Sequence, residues 1–401
     1  MKKLILTAAV VISLAGCANE TKKEKTVAAF DEIFSQVKDE YAPDRRLKTF
    51  EAKLEVSENA DTIVLRGSTT EPGAKDALVA KLAEAGIEAL DSMITLPAAS
   101  LGDKVFGITN QSAVNFRYAP GYSAESATQT VMGAPLQILE KRGGWTRAIT
   151  PEGYIAWVSS GSVATMNEAD FNAWRDAEKV IITTYYTLFR AGASENSAVV
   201  ADGIMGNIVK VVAQTGTYVK VMLPDGREAF VQKQHTAPFA QWLASRNATQ
   251  ENIIATARQF VGFPYMWGGT SIKAMDCSGF TKTVYFLNGV ILERDASQQA
   301  LTGEDVDISK NFDNLVAGDL LFFGSKASEG KKERITHVGI YIGGGEFIHS
   351  ATSVRINSLI PEAANYYDGS NRLVRANRML TKIDADPGIV SIVKHPWYVA
   401  Q

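Results

Sequence analysis

The sequence has very little cysteine and histidine and no marked excess of either charge. Its 401 residues include two cysteines and four histidines, and the formal net charge is -3. Two cysteines cannot build the disulfide framework of a small secreted domain. Without a basic surplus the chain has no electrostatic footprint for nucleic acid, so we predict no nucleic-acid partner.

Long apolar runs are also missing, apart from one short run near the N-terminus. Two lysines precede apolar residues 4–14, a run too short to span a bilayer, and small residues follow. The next letters, LAGC, resemble the lipobox of bacterial lipoproteins, in which Cys17 becomes the lipidated N-terminus. We therefore expect an exported protein, anchored by lipid to the membrane of the cell envelope and periplasmic in a Gram-negative cell. An ordinary signal peptide cut nearby is the alternative.

The length of the chain favours several domains, and the pattern of residues changes along it. Strand-like alternation with one amphipathic helix comes first, then short alternating runs separated by turns, then helices and apolar strands. The predicted class is multidomain: a small α+β domain, two small β-barrels and a C-terminal α+β domain. The predicted segments are a lipoprotein signal peptide (1–17), a solvated tether (18–27), the small α+β domain (28–104), barrel 1 (105–165), barrel 2 (180–238), the C-terminal domain (247–385) and an uninterpreted tail (386–401).

Both predicted barrels resemble bacterial SH3-like domains. The first contains NFR at 115–117, GAPLQILE at 133–140, GGW at 143–145 and the closing GYIAWV at 153–158. The second barrel repeats this order more weakly. The resemblance implies that each segment forms an SH3-like β-barrel.

Cys277 lies within the letters AMDCSGFT, at the predicted start of a helix. Backbone amides at a helix N-terminus favour a thiolate, so this position predicts a lowered thiol pKa. Asp276 directly before it is a candidate helix cap, and also a candidate group for binding a cationic part of a substrate. A lone buried cysteine that serves only as a small apolar side chain is the alternative.

Two of the four histidines lie in consecutive predicted strands near the C-terminus. If the three glycines at 343–345 turn the chain into a regular hairpin, Ile340 pairs with Ile348. His337 and His349 then become diagonal neighbours on one face, roughly 7–8 Å apart at Cα. One imidazole can act on a thiol while the other orients it. Two unrelated strand histidines are the alternative.

The chain contains four motifs in the order PYMWGGT, DCSGF, THVGIYIG and FIHSA. Together they resemble the NlpC-type cell-wall cysteine peptidases, whose catalytic domain is papain-like, over residues 247–385. The resemblance implies Cys277 as the nucleophile, His337 as the general base and His349 as the orienting residue. It also implies that the Tyr265 hydroxyl helps to stabilise the oxyanion of the tetrahedral intermediate, with a packing aromatic as the alternative.

The order of a lipoprotein signal, two SH3-like barrels and an NlpC-type domain resembles the dipeptidyl-peptidase VI group. In that group the first barrel walls off the active site and contacts the N-terminal L-alanine of the substrate. The matching positions are Glu125 and Tyr154, for which a solvated carboxylate and a barrel aromatic are the alternatives. The resemblance further implies substrate contacts from Asp276, which would receive a free amine, and from Ser278 and Ser297.

These resemblances imply a γ-D-glutamyl-L-diamino acid endopeptidase that uses no cofactor and no metal. Its substrates would be peptidoglycan-derived peptides with a free L-alanine amine, released during murein turnover. Two alternatives stay open: an endopeptidase that acts on intact peptidoglycan, and a non-catalytic wall-binding lipoprotein. A metal hydrolase is disfavoured because the sequence has no HxxxH or HxxE pairing.

Overall fold

The computed structural model describes residues 4–57, 62–309 and 312–401, and within the first helix it describes side chains only from residue 22 onwards. The chain divides into two compact units, Met1–Gly102 and Asp103–Gln401. No helix in the described part of the chain combines the length and apolar character needed to cross a membrane. The predicted lipidation site, Cys17, lies outside the residues whose side chains are described.

The first unit has an α-β-β-α-β order and one apolar core. β1 runs antiparallel to β2, and α2 carries the chain across to β3, which is parallel to β2. α2 starts with Pro72, whose fixed φ suits the first helical turn, and it ends before Gly86, where φ is 73°. The elements are α1 (Leu4–Tyr41), β1 (Phe50–Val56), β2 (Ile63–Thr69), α2 (Pro72–Glu84) and β3 (Leu90–Thr95).

The segment that we predicted as a solvated tether, residues 18–27, belongs to α1 in the structure. Its residues include no proline or glycine, so nothing in the backbone interrupts a helix there. Farther along the same helix, Phe30 and Val37 are buried in the core of the first unit. The prediction of a separate tether was wrong because it weighed polarity alone and ignored the helix continuing into a packed segment.

The second unit begins with a seven-stranded sheet that spans residues 106–166, where the first barrel was predicted over 105–165. Its strand order is β10-β4-β7-β8-β9-β5-β6. Alternate side chains such as Val114 and Phe116 are buried, which gives this domain a core of its own. The elements are β4 (Phe106–Thr109), β5 (Ala113–Arg117), β6 (Ser126–Val131), β7 (Pro135–Arg142), β8 (Trp145–Ile149), β9 (Ile155–Ser159), β10 (Val163–Met166) and then α3 (Glu168–Asp176).

A second seven-stranded sheet follows over residues 179–238, and its order is β13-β12-β16-β15-β14-β11-β17. Counted from the first strand of each sheet, this is the same topology as the preceding sheet. In both sheets a short 3-10 turn joins the last two strands. The elements are β11 (Lys179–Ile182), β12 (Tyr186–Arg190), β13 (Val199–Ile204), β14 (Ile208–Thr215), β15 (Tyr218–Met222), β16 (Glu228–Gln232) and β17 (Thr236–Pro238).

The C-terminal part packs helices against an antiparallel six-stranded sheet of order β21-β26-β22-β23-β24-β25. Thr249 caps α5 by accepting the N–H of Asn252. The elements are α4 (Phe239–Ala244), α5 (Gln250–Arg258), β18 (Thr270–Ser271), β19 (Ala274–Met275), α6 (Cys277–Leu287), β20 (Val290–Leu292), α7 (Ala296–Gln299), β21 (Glu304–Val306), β22 (Leu320–Ser325), β23 (Arg334–Gly343), β24 (Glu346–Ser350), β25 (Val354–Ser358), β26 (Leu373–Arg378) and β27 (Ile389–Ser391).

The hairpin of β23 and β24 has the predicted register at its centre, where Ile340 pairs with Ile348. The three glycines at 343–345 turn the chain, and all three have positive φ. Closer to the turn the register shifts between Tyr341 and Gly343, so the hairpin is not regular to its end. The bulge lies on the turn side of the Ile340–Ile348 pair, away from the two histidines.

The tail over residues 386–401 is part of the C-terminal domain. β27 pairs with β20, and Ile389 and Ile392 are fully buried. His395 is also largely buried, and its Nε2 lies 2.9 Å from the carbonyl oxygen of Pro151 in the first barrel. The uninterpreted tail is therefore no separate segment, because Ile389 and Ile392 belong to the same apolar core as the helices of the C-terminal domain.

Candidate active site

Cys277 is the first residue of α6, and the start of that helix is held firmly. Asp276 caps the helix, since its Oδ1 accepts the N–H of Gly279 at 2.7 Å. Gly279 packs against the preceding loop so closely that a Cβ there would lie 1.9 Å from the carbonyl oxygen of Gly269. The helix therefore needs glycine at this position, two residues after the thiol. The predicted helix start at Cys277 is confirmed.

The thiol of Cys277 is buried between α6 and β23. Its sulfur accepts hydrogen bonds from the backbone N–H groups of Val338 and Ser278. Burial raises the pKa of the thiol to about 12, with the charge of Asp276 acting in the same direction. These effects outweigh the backbone donors and the Arg294 guanidinium, which lower the pKa. The lowered pKa that we predicted from the helix start alone was therefore wrong in direction for the resting protein.

His337 and His349 are in direct contact. Nε2 of His337 lies 2.6 Å from Nδ1 of His349. Since His337 precedes Val338, whose N–H bonds the sulfur, the histidine pair lies next to Cys277. Gly339 leaves the space this requires, because a Cβ there would lie 3.1 Å from Cβ of His349. The sequence prediction that the two imidazoles are neighbours is confirmed.

Both imidazoles are neutral in the resting site. Burial lowers the pKa of His337 to about 3, with His349 and two nearby arginines acting in the same direction. Burial also lowers the pKa of His349 to about 4, although its hydrogen bond to Asn357 acts in the opposite direction. A protonated thiol beside a neutral imidazole is the arrangement that general-base activation of a nucleophile requires.

Tyr265 lies beside this group on the loop before α6. Its backbone N–H donates to the carbonyl oxygen of Thr352, which ties the loop to the turn after β24. Burial raises the pKa of the Tyr265 hydroxyl, and the charges of Cys277 and Asp276 add to the effect. The hydroxyl therefore stays protonated and can donate to a developing oxyanion.

Asp276 and Ser278 are engaged with Arg294, a residue that the sequence analysis missed. Arg294 Nη2 lies 2.6 Å from Asp276 Oδ2, and its Nη1 donates to Ser278 Oγ at 3.0 Å. Asp276 Oδ2 also accepts the N–H of Gly268, so both carboxylate oxygens already have partners within the protein. This arrangement gives no support to the prediction that Asp276 itself receives a free amine. The available signal for Arg294 was a run of charged residues, Glu293 to Asp295, directly after the apolar strand VIL.

The first barrel reaches the catalytic domain at both positions that the sequence resemblance indicated. Glu125 Oε1 accepts the indole N–H of Trp267 at 3.0 Å, two residues after Tyr265. Tyr154 is fully buried, and its hydroxyl donates to Asp295 Oδ2 at 3.2 Å. The sequence analysis missed Asp295, as it missed the neighbouring Arg294.

Two further contacts complete this wall of the site. The hydroxyl of Tyr118 lies 2.9 Å from that of Tyr154. In the first barrel, Thr128 Oγ1 accepts from Arg294 Nε at 2.8 Å. Ser297 lies partly exposed on α7, the short helix that Asp295 caps. The structure thus brings Cys277, both histidines, Tyr265 and the barrel residues into one contiguous region.

Known proteins and family models are similar to parts of this chain. The sequence model of the NlpC/P60 family matches residues 262–374, and that of the bacterial SH3 domain matches residues 112–164. A gamma-D-glutamyl-L-lysine dipeptidyl-peptidase of Bacillus subtilis (strain 168) is 32% identical over 243 residues, which are 56% of this chain and 71% of the relative. A protein of the same name from Bacillus cereus is 29% identical over 242 residues, 58% of this chain and 70% of the relative.

A solved structure shows the same fold. The crystal structure of an NlpC/P60 family protein from Bacillus cereus superposes with a TM-score of 0.57 at 23% sequence identity. The match covers 68% of this chain and 99% of that chain. The fold of this part of the chain is therefore shared with a known protein.

Proposed function

This chain belongs to the NlpC/P60 family and is a cysteine-type cell-wall peptidase, and we propose that it cleaves the bond between γ-D-glutamate and the diamino acid of peptidoglycan stem peptides. The relatives' name, gamma-D-glutamyl-L-lysine dipeptidyl-peptidase, supports this bond and a dipeptide product. The proposed product is therefore L-alanyl-γ-D-glutamate. The substrates are turnover fragments with a free L-alanine amine.

The observation that carries the proposal is the 2.6 Å contact between His337 Nε2 and His349 Nδ1. His337 lies on β23, and the N–H of the next residue, Val338, donates to the Cys277 sulfur. In the proposed mechanism the Cys277 sulfur attacks the γ-carbonyl carbon while its proton passes to His337. The Tyr265 hydroxyl donates to the oxyanion. His337 then protonates the leaving amine of the diamino acid, and water hydrolyses the thioester. Because burial keeps the resting thiol protonated, its activation depends on this proton transfer to His337.

The first barrel supports a requirement for a free amine. Glu125 and Asp295 bring two carboxylates to the wall beside the site, and Tyr154 links the barrel to Asp295. Carboxylates near a substrate's N-terminus favour an ammonium group there. We assign the amine contact to Glu125, Tyr154 and Asp295. Asp276 has the separate task of capping α6 and pairing with Arg294.

The experiment is hydrolysis of L-Ala-γ-D-Glu-L-Lys and its diaminopimelate counterpart, each with a free and with an acetylated N-terminus. We expect cleavage of the free peptides and little cleavage of the acetylated ones. Equal rates on both would contradict the amine pocket. Faster release of soluble peptides from whole sacculi would identify an endopeptidase of intact wall. No cleavage of any substrate by folded protein would leave the wall-binding alternative.

We also propose that residues 179–238 form a second SH3-like barrel, which the identical strand order of the two seven-stranded sheets supports.

We further propose export and lipid anchoring through Cys17, which the N-terminal sequence pattern supports. Labelling with a radioactive fatty acid in cells tests the anchor. Wild-type protein should be labelled and Cys17→Ala should not, and label retained in Cys17→Ala would contradict this site.

A further inference from the structure

The histidine pair continues into a third hydrogen-bonding side chain on the next strand. His349 Nε2 lies 2.8 Å from Oδ1 of Asn357, which lies on β25. On the other side of the amide, Asn357 Nδ2 lies 2.8 Å from the carbonyl oxygen of Asn365. That carbonyl also accepts the N–H of Ser358 at 2.9 Å, which holds it in place.

Chemistry fixes the direction of every hydrogen bond in this series. A backbone carbonyl can only accept, so the group of Asn357 that faces Asn365 is the NH₂ and the group that faces His349 is the oxygen. The amide oxygen accepts, so His349 carries its proton on Nε2. Its Nδ1 then holds a lone pair and accepts the Nε2 proton of His337. The remaining lone pair of a neutral His337 is on Nδ1.

We infer that Asn357 is a positioning residue that sets the tautomers of both histidines and thereby makes Nδ1 of His337 the base for Cys277. The inference rests on the proposed function for the proton transfer itself. The assignment of protons to ring nitrogens depends only on the geometry of the described residues. Without Asn357, His349 can hold its proton on Nδ1, which would face the Nε2 proton of His337.

Aromatic rings shield the hydrogen-bonded series from competing water. Tyr367 stands edge-on to His349 with ring centroids 5.0 Å apart, and its ring is 6.1 Å from that of His337. Phe347 lies 4.7 Å from His349 on another side. In such surroundings a misplaced proton has no solvent partner, so the choice of tautomer is strongly enforced.

Several charged or titratable groups act on the pair. Arg355 on β25 and Arg372 after the loop are cations that oppose protonation of His337. The Cys277 thiol on α6 bonds the N–H of Val338, the residue that follows His337. Glu346 on β24 is bonded to the Asn365 side chain, so it reaches the series only indirectly. Asn357 itself is neutral, and it therefore directs the protons without adding a carboxylate to the site.

Nitrogen NMR of full-length protein with ¹⁵N-labelled histidine tests the assignment directly. The chain has four histidines. The variants His235→Gln and His395→Gln each remove one signal, and the two signals that remain belong to His337 and His349. At neutral pH we expect His337 and His349 both to carry their proton on Nε2. In Asn357→Ala we expect His349 to populate the Nδ1–H form. A proton on Nδ1 of His349 in the wild type would overturn the inference.

Kinetics give a second readout. For Asn357→Ala we expect kcat to fall about 10- to 100-fold with KM nearly unchanged, as when a residue that orients a catalytic imidazole is lost. Asn357→Asp keeps the accepting oxygen and should restore much of kcat. Its carboxylate should move the acid limb of the pH–kcat profile to higher pH, because a negative charge raises the histidine pKa. An unchanged kcat in Asn357→Ala would overturn the inference.

Asn288→Ala is the matched control for lost stability. Asn288 bonds Thr256 and the carbonyl oxygen of Val284 at the far end of α6, so its loss destabilises without touching the histidines. We expect its tautomers and pH profile to match the wild type. If the wild type fails to cleave the peptides while the NMR assignment holds, the proposed function fails and the proton assignment stands. If the wild type cleaves the peptides but His349 carries its proton on Nδ1, the proposed function stands and the proton assignment fails.

Discussion

The two seven-stranded sheets of the second unit have the same strand order but contribute differently to the molecule. The first places polar side chains against the catalytic domain: Glu125 on Trp267, Thr128 on Arg294, Gln129 on Thr270, and Tyr154 on Asp295. The second contributes apolar residues, Ile181 and Ile208, to the large core shared with the C-terminal domain. The first sheet contacts the loops around the candidate site, whereas the second packs into the core of the C-terminal domain.

The two sheets also differ in how deeply the ion pairs beside them are buried. The Arg294–Asp276 pair beside the first barrel is almost fully buried, with side-chain exposures of 1% and 7%. The Lys273–Asp202 pair at the second barrel is much more open, at 47% and 35%. A shared fold therefore does not fix function, because function depends on which side chains a barrel presents to its neighbour.

We expect the largest effect, a loss in the free energy of unfolding, from removing the cation of the buried ion pair, and a much smaller loss from the same change in the open pair. Arg294→Met leaves Asp276 buried without its partner, and we expect a loss of about 3–5 kcal/mol in the free energy of unfolding. Lys273→Met is the matched change at the second barrel and should lose at most about 1 kcal/mol. Urea denaturation followed by tryptophan fluorescence measures both. Equal losses would contradict the contrast between a buried and an open pair.

The next largest effect is a loss of stability as the pH falls. The folded pKa of His349 is about 4, below its ordinary value, so its stabilising contribution is present above about pH 6.5 and is lost as pH falls toward 4. For this fully buried ring the slope is at most about 1.4 kcal/mol per pH unit. Burial lowers the pKa of His395, at the contact with the first barrel, in the same direction.

Hydrogen exchange at pH 7 and pH 5 locates that loss. After correction for the intrinsic exchange rate at each pH, we expect lower protection at pH 5 in β23, β24 and the segment around His395. The second barrel should change little between the two conditions. His349→Gln should reduce the pH dependence in the hairpin. A uniform change across both barrels would show that the acid sensitivity does not arise at the buried histidines.

A smaller effect is expected from a matched pair of tyrosines. Tyr154→Phe removes the hydroxyl that bonds Asp295, and we expect about a tenfold loss of kcat/KM on the free-amine peptide, which corresponds to one hydrogen bond. Tyr185→Phe, beside the second barrel, removes a hydroxyl that donates to the carbonyl oxygen of Gln259. Steady-state kinetics should show no loss for Tyr185→Phe, and an equal loss in both would remove the distinction between the two sheets.

The smallest effect is expected from two glutamates on the barrel surfaces. Glu125→Gln keeps an acceptor for Trp267 but removes the charge, and KM for the free-amine peptide should rise by about two- to fivefold. Glu195→Gln makes the same change on the second barrel, where the carboxylate accepts from Gln232. Its KM should equal that of the wild type. No difference between the variants would mean that Glu125 is merely a solvated carboxylate.

The local parts of the site could be predicted from the sequence. A cap at Asp276 and a helix that starts at Cys277 follow from neighbouring residues, and three glycines with alternating apolar residues set the hairpin register that joins His337 to His349. These features depend on contacts within about a dozen residues. Such contacts are encoded by short patterns of residue type.

The parts that were missed depend on distant segments. Arg294 meets Thr128 across 166 positions, and His395 meets Pro151 across 244, so no short pattern reveals either contact. The pKa of Cys277 was predicted in the wrong direction for the same reason. The helix start is visible in the sequence, whereas the burial that raises the pKa comes from packing against β23.

The most direct test of the account is to trap the acyl-enzyme. Full-length protein is mixed with L-Ala-γ-D-Glu-L-Lys, quenched in acid, and analysed by mass spectrometry of the intact chain and of its peptides. We predict an L-alanyl-γ-D-glutamyl adduct on Cys277 in the wild type, and neither adduct nor cleavage in Cys277→Ala. Undiminished cleavage by Cys277→Ala would contradict the account.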